Sequence, residues 1–130
     1  MTEHLPCWRV KTAAAVLAQH YPRARLLQGW ASPELGGLAC LRRLATDAPG
    51  HDVGRPLAWL DLRIAGDDGR EAARGSHGRL HGRGPMAPRE DWRQPSADRA
   101  LVELPWLACD VRAAIADNGH LLIDLAPAAA

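Results

Sequence analysis

Apolar residues near the N-terminus recur at the spacing of a helix, whereas those further along the chain recur at the spacing of strands. Three apolar positions share one helical face: Val10, Ala14 and Leu17. The stretch 9–20 around them contains neither Gly nor Pro, and Pro22 ends the pattern. The sequence therefore predicts a short helix over 9–20, inside an N-terminal helical arm that spans 1–37.

From residue 38 onward a two-residue period predicts mainly β structure. In Leu57–Ile64 the apolar positions fall on one face, and Asp61 and Arg63 fall on the other, as in a half-buried strand. The turn residues Asp47–Gly50 precede this strand. Residues 70–99 carry repeated Gly and Pro, which favours irregular structure there.

The dipeptide Asn118-Gly119 lies between two alternating apolar runs and predicts a hairpin. A two-residue type I′ turn needs positive φ at both central positions, which Asn and Gly accept. Such a turn pairs Ala116 with Leu121 and Ala114 with Ile123. A helix over 107–117 is the alternative, because apolar residues recur there at helical spacing as well.

Composition indicates a globular protein. The 130 residues are 47% hydrophobic and 24% charged, and the net charge of +1 excludes binding driven by overall charge. Cys7, Cys40 and Cys109 lack disulfide or zinc spacing and are expected to be buried or semi-buried reduced thiols. The longest apolar run is far shorter than the ~20 residues of a membrane span, and no secretory signal is seen. We therefore expect a soluble cytoplasmic protein that does not bind membranes.

Sequence motifs give little support for catalysis. The chain has no GxSxG elbow, phosphate-binding loop or GxGxxG motif. His77 and His81 are four residues apart, but neighbouring glycines make a helical metal site improbable. The sequence thus predicts no catalytic residue, no metal, no cofactor and no enzyme activity. The Arg/Gly-rich loop 70–93 leaves open an alternative in which the protein associates with nucleic acid.

Four blocks resemble, in order, the α-crystallin domain of the small heat-shock proteins. They are Asp47-Ala-Pro-Gly50, the alternating segment Leu57–Ile64, Leu80-His-Gly-Arg83, and Val102-Glu-Leu-Pro105 followed by Asn118–Pro127. The resemblance implies an antiparallel, immunoglobulin-like β-sandwich over 38–127, with a short tail at 128–130. The sequence departs from the family because it lacks an Ile-x-Ile tail motif and a Phe-rich N-terminal arm.

The resemblance also implies ATP-independent binding of unfolding proteins by a homodimer. In that family the client groove lies between the strands that correspond here to Leu57–Ile64 and 111–116. The residues it would use are Leu57, Trp59, Val111 and Ile115. An adaptor for one specific protein partner is the main alternative, and nucleic acid is not the expected partner.

Overall fold

The computed structural model describes residues 7–44, 51–87 and 106–124. These residues form a helix and seven strands: α1 (Cys7–His20), β1 (Leu27–Ser32), β2 (Gly37–Arg43), β3 (Asp52–Pro56), β4 (Asp61–Ala65), β5 (Gly78–Arg83), β6 (Leu107–Ile115) and β7 (Leu121–Ile123). A single 3₁₀ turn, Pro33–Leu35, joins β1 to β2. The predicted Asp47–Gly50 turn, the 102–105 block and the 128–130 tail lie outside the described residues.

All seven strands join one antiparallel sheet in the order β1-β2-β3-β7-β6-β5-β4. The short strand β7 enters between β3 and β6, so the last described strand ties the two halves of the sheet together. The prediction of a mainly-β chain with one helix is confirmed. The helix begins two residues earlier than predicted and ends at His20 as predicted.

The core is built from small and aliphatic residues because the chain contains no Phe. It contains twelve buried residues: Trp30, Leu35, Ala39, Cys40, Val53, Leu60, Ile64, Leu80, Cys109, Ala113, Leu121 and Ile123. Every strand contributes to this cluster, which explains how a short chain stabilises a wide sheet. Among the described side chains of helix α1, Ala14 is buried, whereas Val16 and Leu17 are exposed.

The predicted strand Leu57–Ile64 is shorter than the alternation suggests. The strand begins only at Asp61, because the chain turns between β3 and β4, where the Leu60 N–H donates to the Leu57 carbonyl at 3.0 Å. Leu60 still reaches the core from this turn, whereas Trp59 is 53% exposed. The prediction of a strand over all eight residues is therefore wrong for the first half of the segment.

The hairpin between β6 and β7 is present, so the helical alternative over 107–117 is wrong. Its register differs by one residue from the prediction, because Ala114 pairs with Leu122 and Ala113 with Ile123. The loop has three residues: Ala116 and His120 close it, and the Gly119 N–H donates to the Ala116 carbonyl at 2.9 Å. Gly119 has φ 84°, and no described residue other than Gly has positive φ, which excludes a type I′ turn at Asn118.

Residues 70–99 were expected to be irregular, yet they contain β5, which lies between β4 and β6. The glycines of this strand permit close packing instead of turning the chain. A Cβ at Gly78 would lie 2.2 Å from the carbonyl oxygen of Ala65, and one at Gly82 would lie 2.3 Å from Leu35 Cδ2. Reading these glycines as breakers was wrong, because a strand also uses Gly where another element approaches closely.

Strand β1 lies inside the stretch assigned to a helical arm, and it pairs with β2 from Leu27 to Ser32. The sheet therefore begins before residue 38. The division of the chain at residues 37 and 128 stays a prediction.

Candidate functional site

Ser32 and Glu34 come together where β1 runs into the 3₁₀ turn. The Ser32 hydroxyl, which is buried, donates to Glu34 Oε2 at 2.5 Å. Pro33 suits the first position of the turn because its fixed φ is already helical. Gly36 ends the turn with φ 83°, and its N–H donates to the Pro33 carbonyl. This local geometry holds the Glu34 carboxylate beside Ser32.

Leu35 anchors the turn on the sheet. Its side chain is only 1% exposed and lies on Gly82 of β5, where any Cβ would overlap it. On the other side, a Cβ at Gly36 would collide with the backbone of Met86. The turn is thus clamped between β5 and the segment that follows β5, which fixes the position of Glu34 relative to the sheet.

Glu34 is held in its ionised form. The hydrogen bond from Ser32 is the largest cause that lowers the pKa of Glu34, and it outweighs the opposing effect of partial burial. The backbone N–H of Asp110 on β6 adds to this lowering. A carboxylate with a lowered pKa is a poor general acid at neutral pH but a good acceptor for a ligand's hydroxyl, amine or cation.

Cys109 lies beneath this cluster and does not supply a nucleophile. Burial raises the pKa of its thiol to about 11, and the nearby Ser32 hydroxyl offsets only part of that rise. Burial likewise raises the pKa of Cys40 to about 12. Both are buried free thiols, as expected, whereas the side chain of Cys7 lies outside the described residues. A thiol that stays protonated at neutral pH packs as a small apolar group.

A second polar cluster crosses β1, β2, β3 and the loop before β7. Arg42 Nε donates to Gln28 Oε1 at 2.9 Å, and Arg42 Nη1 lies 3.8 Å from Asp52 Oδ2. His120 Nδ1 lies 2.9 Å from the same Asp52 oxygen. The Arg42 side chain is only 6% exposed, so this cluster holds a buried charge in place. Gln28 and Asp52 both contact the Arg42 guanidinium, and His120 contacts Asp52, which makes the cluster a structural network.

The predicted site residues differ in their exposure to solvent. Leu57, Val111 and Ile115 pack against the core, while Trp59 is exposed. β5 separates β4 from β6 in the sheet, so the two strands predicted to flank the groove are not neighbours.

His77 and His81, the two histidines considered as a metal site, also have different surroundings. His77 is exposed and its Nδ1 lies 2.6 Å from Asp124 Oδ1, whereas His81 lies on β5. No group of three or more potential metal ligands occurs among the described residues. In the same part of the chain, no helix has the length and apolar character needed to cross a membrane.

Ser32 and Glu34 are not among the residues predicted from the sequence. Ser32 does not match the nucleophile elbow of a hydrolase, which is the serine motif that would have drawn attention to it. The signal available was local: a Ser-Pro-Glu triplet before Gly36-Gly37 marks a tight turn that orients a carboxylate. The contact with Asp110 joins residues far apart in the sequence and could not be seen there.

No family model matches the chain. A long-chain-fatty-acid–CoA ligase of Yersinia pestis is 29% identical over 98 residues, which cover 75% of this chain. The fatty acyl CoA synthetase of Mycobacterium tuberculosis superposes with a TM-score of 0.67, at 25% identity over 85% of this chain. An amide bond synthetase of Marinactinospora thermotolerans gives 0.69, at 23% identity over 88%. The chain spans 17%, 22% and 23% of the lengths of these three proteins, respectively.

These similarities correct the functional interpretation of the sequence. The resemblance to small heat-shock proteins is wrong, since the matched proteins are CoA ligases and an amide bond synthetase. The expectations of a chaperone, of an adaptor or nucleic-acid protein, and of a protein without enzyme activity fall with it. The assignment of Leu57, Trp59, Val111 and Ile115 to client binding loses its basis too. Over most of its length the chain is similar to one part of the acyl-CoA ligase fold.

Proposed function

We propose that this chain forms the β-sheet part of an enzyme that activates a carboxylic acid and joins it to CoA. The observation that supports this most strongly is the superposition on a fatty acyl CoA synthetase over 85% of the chain. The sequence similarity to a long-chain-fatty-acid–CoA ligase supports a long-chain fatty acid as the substrate class.

The chemistry common to the matched proteins favours carboxylate activation as the shared step. A CoA ligase makes a thioester and an amide bond synthetase makes an amide, and both products require a carboxylate carbon made electrophilic before a nucleophile attacks it. The two thiols with raised pKa, Cys40 and Cys109, are unsuited to be that nucleophile. In this proposal the attacking sulfur is the thiol of CoA itself.

In this proposal the Glu34 carboxylate, in the 3₁₀ turn between β1 and β2, contacts the reacting molecules. This ionised carboxylate, fixed by Ser32 and by the backbone of Asp110, accepts hydrogen bonds from substrate hydroxyl groups or stabilises a positive charge. Leu35 and Gly82 keep this group at a constant position on the sheet.

A chimeric enzyme tests the proposal. This chain replaces the equivalent segment of the Mycobacterium tuberculosis synthetase, and fatty acyl-CoA is measured after addition of fatty acid, ATP and CoA. We expect thioester formation that Glu34→Gln reduces by about tenfold or more, the equivalent of one charged hydrogen bond. Glu71→Gln, at an exposed carboxylate in the bridge to Ala65, serves as the matched control and leaves the rate within about twofold. A folded chimera without thioester formation contradicts the proposal.

Three finer predictions accompany this function: an immunoglobulin-like packing of the sheet, a homodimer and a cytoplasmic location. Light scattering tests the dimer, and an experimental structure tests the packing.

A further inference from the structure

The outer side of β4, β5 and β6 carries a cluster of arginines around one tryptophan. Leu80 of β5 points into the core, so the alternate residues Arg79, His81 and Arg83 lie on the other side of the sheet. Directly paired residues share a face, which adds Arg63 opposite His81 and Arg112 opposite Arg79. We call this set the basic face: Arg63, Arg79, His81, Arg83, Trp106 and Arg112.

Trp106 organises two of these cations. The Cζ atom of Arg63 lies 4.4 Å from the centroid of the Trp106 ring, and that of Arg83 lies 4.6 Å from it. Both distances are within the range of cation–π attraction, so the two guanidinium groups are held near each other despite their like charge.

The positive charge of this face is only partly neutralised. Arg83 pairs with Asp61 at 3.0 Å, and Arg112 lies 3.9 Å from Asp67. Asp110, also on β6, is exposed beside them. Among the described residues, no carboxylate lies within ion-pair distance of Arg63 or Arg79. Within the described residues, Arg63 contacts the Trp106 ring and Arg79 donates to the Cys109 carbonyl, and neither contact neutralises the charge of the guanidinium group.

His81 lies on the same side of the sheet as these two arginines, directly opposite Arg63. Its Nδ1 atom is buried and makes no hydrogen bond within the part of the chain that the structure describes. Burial is the main cause that lowers the pKa of His81, and the charges of Arg63 and Arg79 lower it further. The lowered pKa favours the uncharged imidazole, so the positive charge of this part of the face comes from Arg63 and Arg79.

We propose that the basic face binds the phosphate groups of CoA, an inference that rests on the proposed function. Guanidinium groups match phosphate oxygens in shape and charge, and several of them on one rigid sheet give a preformed site. The phosphates of CoA are at one end of the molecule and its reactive thiol is at the other end of an uncharged arm. This separation allows the phosphates to bind at an exposed surface away from the reacting carboxylate.

The position of the basic face on the opposite side of the sheet from the Glu34 turn favours CoA over ATP as the occupant. Leu35 of that turn lies on Gly82, which faces the core side of β5, whereas Arg79 and Arg83 face the other side. The two sites still meet neighbouring residues of β6, because Arg79 Nε donates to the Cys109 carbonyl at 3.4 Å and the backbone of Asp110 lowers the pKa of Glu34. ATP must bring its phosphates to the carboxylate it activates, whereas CoA needs to bring only its thiol there.

Titration calorimetry of the purified chain with CoA, at about 0.15 M salt to screen non-specific attraction, tests the inference. The test variant is Arg63→Gln/Arg79→Gln, which removes the two arginines without a carboxylate partner. The matched control is Arg55→Gln, an exposed arginine on β3 at the far side of β7 and β6. We expect the double variant to weaken CoA binding by about tenfold or more and the control to change it by less than about twofold. Pantetheine, which lacks the phosphates, binds poorly to all three proteins.

Four results overturn the inference. The unmodified chain does not bind CoA, or the double variant binds CoA as tightly as the unmodified chain does. Alternatively, Arg55→Gln weakens CoA binding as much as the double variant does, or the double variant loses as much affinity for ATP as for CoA. The last result assigns the face to ATP instead. If the double variant loses its thermal transition, Arg79→Gln alone is judged by the same criteria, because that side chain is exposed. Thioester formation by the chimera is measured separately, so an active chimera with unchanged CoA binding refutes this inference alone.

Discussion

His120 Nδ1 lies 2.9 Å from Oδ2 of Asp52, which links the loop before β7 to the first residue of β3. The same carboxylate accepts the Gly54 N–H at 2.8 Å and faces Arg42 across 3.8 Å. Arg42 Nη2 is buried without a hydrogen-bond partner among the described residues, so Asp52 is the main compensation for a buried positive charge. One side chain therefore stabilises the centre of the sheet.

Replacing Asp52 by Asn keeps the size of the side chain but removes its charge. We expect Asp52→Asn to lower the free energy of unfolding by about 3 kcal/mol, because it leaves the Arg42 guanidinium buried without a counter-charge. Asp61→Asn, in an exposed pair with Arg83, should cost less than about 1 kcal/mol. Urea denaturation followed by tryptophan fluorescence measures both. Equal losses in the two variants would show that the buried position of Asp52 has no special effect.

Gly54 is needed for both its backbone angle and its lack of a side chain. It has φ 91°, and a Cβ there would lie 2.3 Å from the Leu41 carbonyl oxygen. Gly54→Ala is expected to cost about 3 kcal/mol or more, since steric overlap adds to backbone strain. Gly69→Ala shares the positive φ but meets nothing within 4 Å, and its cost is about 1 kcal/mol. A smaller loss at Gly54 than at Gly69 in thermal unfolding would contradict the overlap.

Gly119 isolates the effect of backbone angle alone, because a Cβ there meets no atom within 4 Å. Gly119→Val should lower the free energy of unfolding by about 1–3 kcal/mol, since a branched residue is strained at φ 84°. Gly119→Asn should cost clearly less, as Asn tolerates this conformation. Thermal melts of the two variants give the comparison, and an unchanged midpoint in Gly119→Val would refute the role of this glycine.

The turn at Asn118-Gly119 shows which part of a hairpin a sequence can predict. The dipeptide located the reversal correctly, because Gly119 does take a positive φ. The register depended on the conformation of Asn118, which tolerates positive φ better than most residues but has a negative φ here. Its negative φ lengthens the loop to three residues and shifts every pair by one. Local residue preference thus locates the turn but does not determine the pairing.

Long-range contacts decided what the sequence could not predict. Gly82 looks like a breaker until Leu35 is seen to occupy the place of its side chain. Glu34 becomes a candidate functional group only when the fold brings the backbone of Asp110, far along the chain, close enough to lower its pKa. The resemblance to small heat-shock proteins failed for a related reason: short dipeptides such as Leu-Pro and Asn-Gly mark strand ends in many sheets.

The hydrogen bond between Ser32 and Glu34 predicts a specific pH effect. Ser32→Ala removes the main cause of the lowered pKa of Glu34, so the pKa should rise toward or above its ordinary value. A carboxyl group whose pKa is lower in the folded state stabilises the folded protein at pH values above its unfolded-state pKa. This stabilisation is lost as pH falls through the folded-state pKa. Ser32→Ala should therefore weaken the fall in stability on acidification. NMR titration of the Glu34 carboxyl carbon checks the shift, with Ser76→Ala, at an exposed serine, as the control.

The two buried thiols predict a labelling pattern at alkaline pH. In a Cys7→Ser background the native protein should react with iodoacetamide at pH 8 much more slowly than a free thiol does, because the thiol pKa values are about 12 for Cys40 and about 11 for Cys109. Because both thiols have a higher pKa in the folded state than in the unfolded state, protonated thiols stabilise the folded state. This stabilisation is complete below the unfolded-state pKa, near 9, and is lost as pH rises through 11 to 12. Stability should accordingly fall above pH 9, with Cys109 labelled before Cys40 as pH increases.

Mass spectrometry of labelled peptides identifies the order, and the urea-unfolded protein, in which both thiols should react readily, is the control. Rapid labelling of either cysteine in the native protein at pH 8 would show that its thiol is neither buried nor protonated.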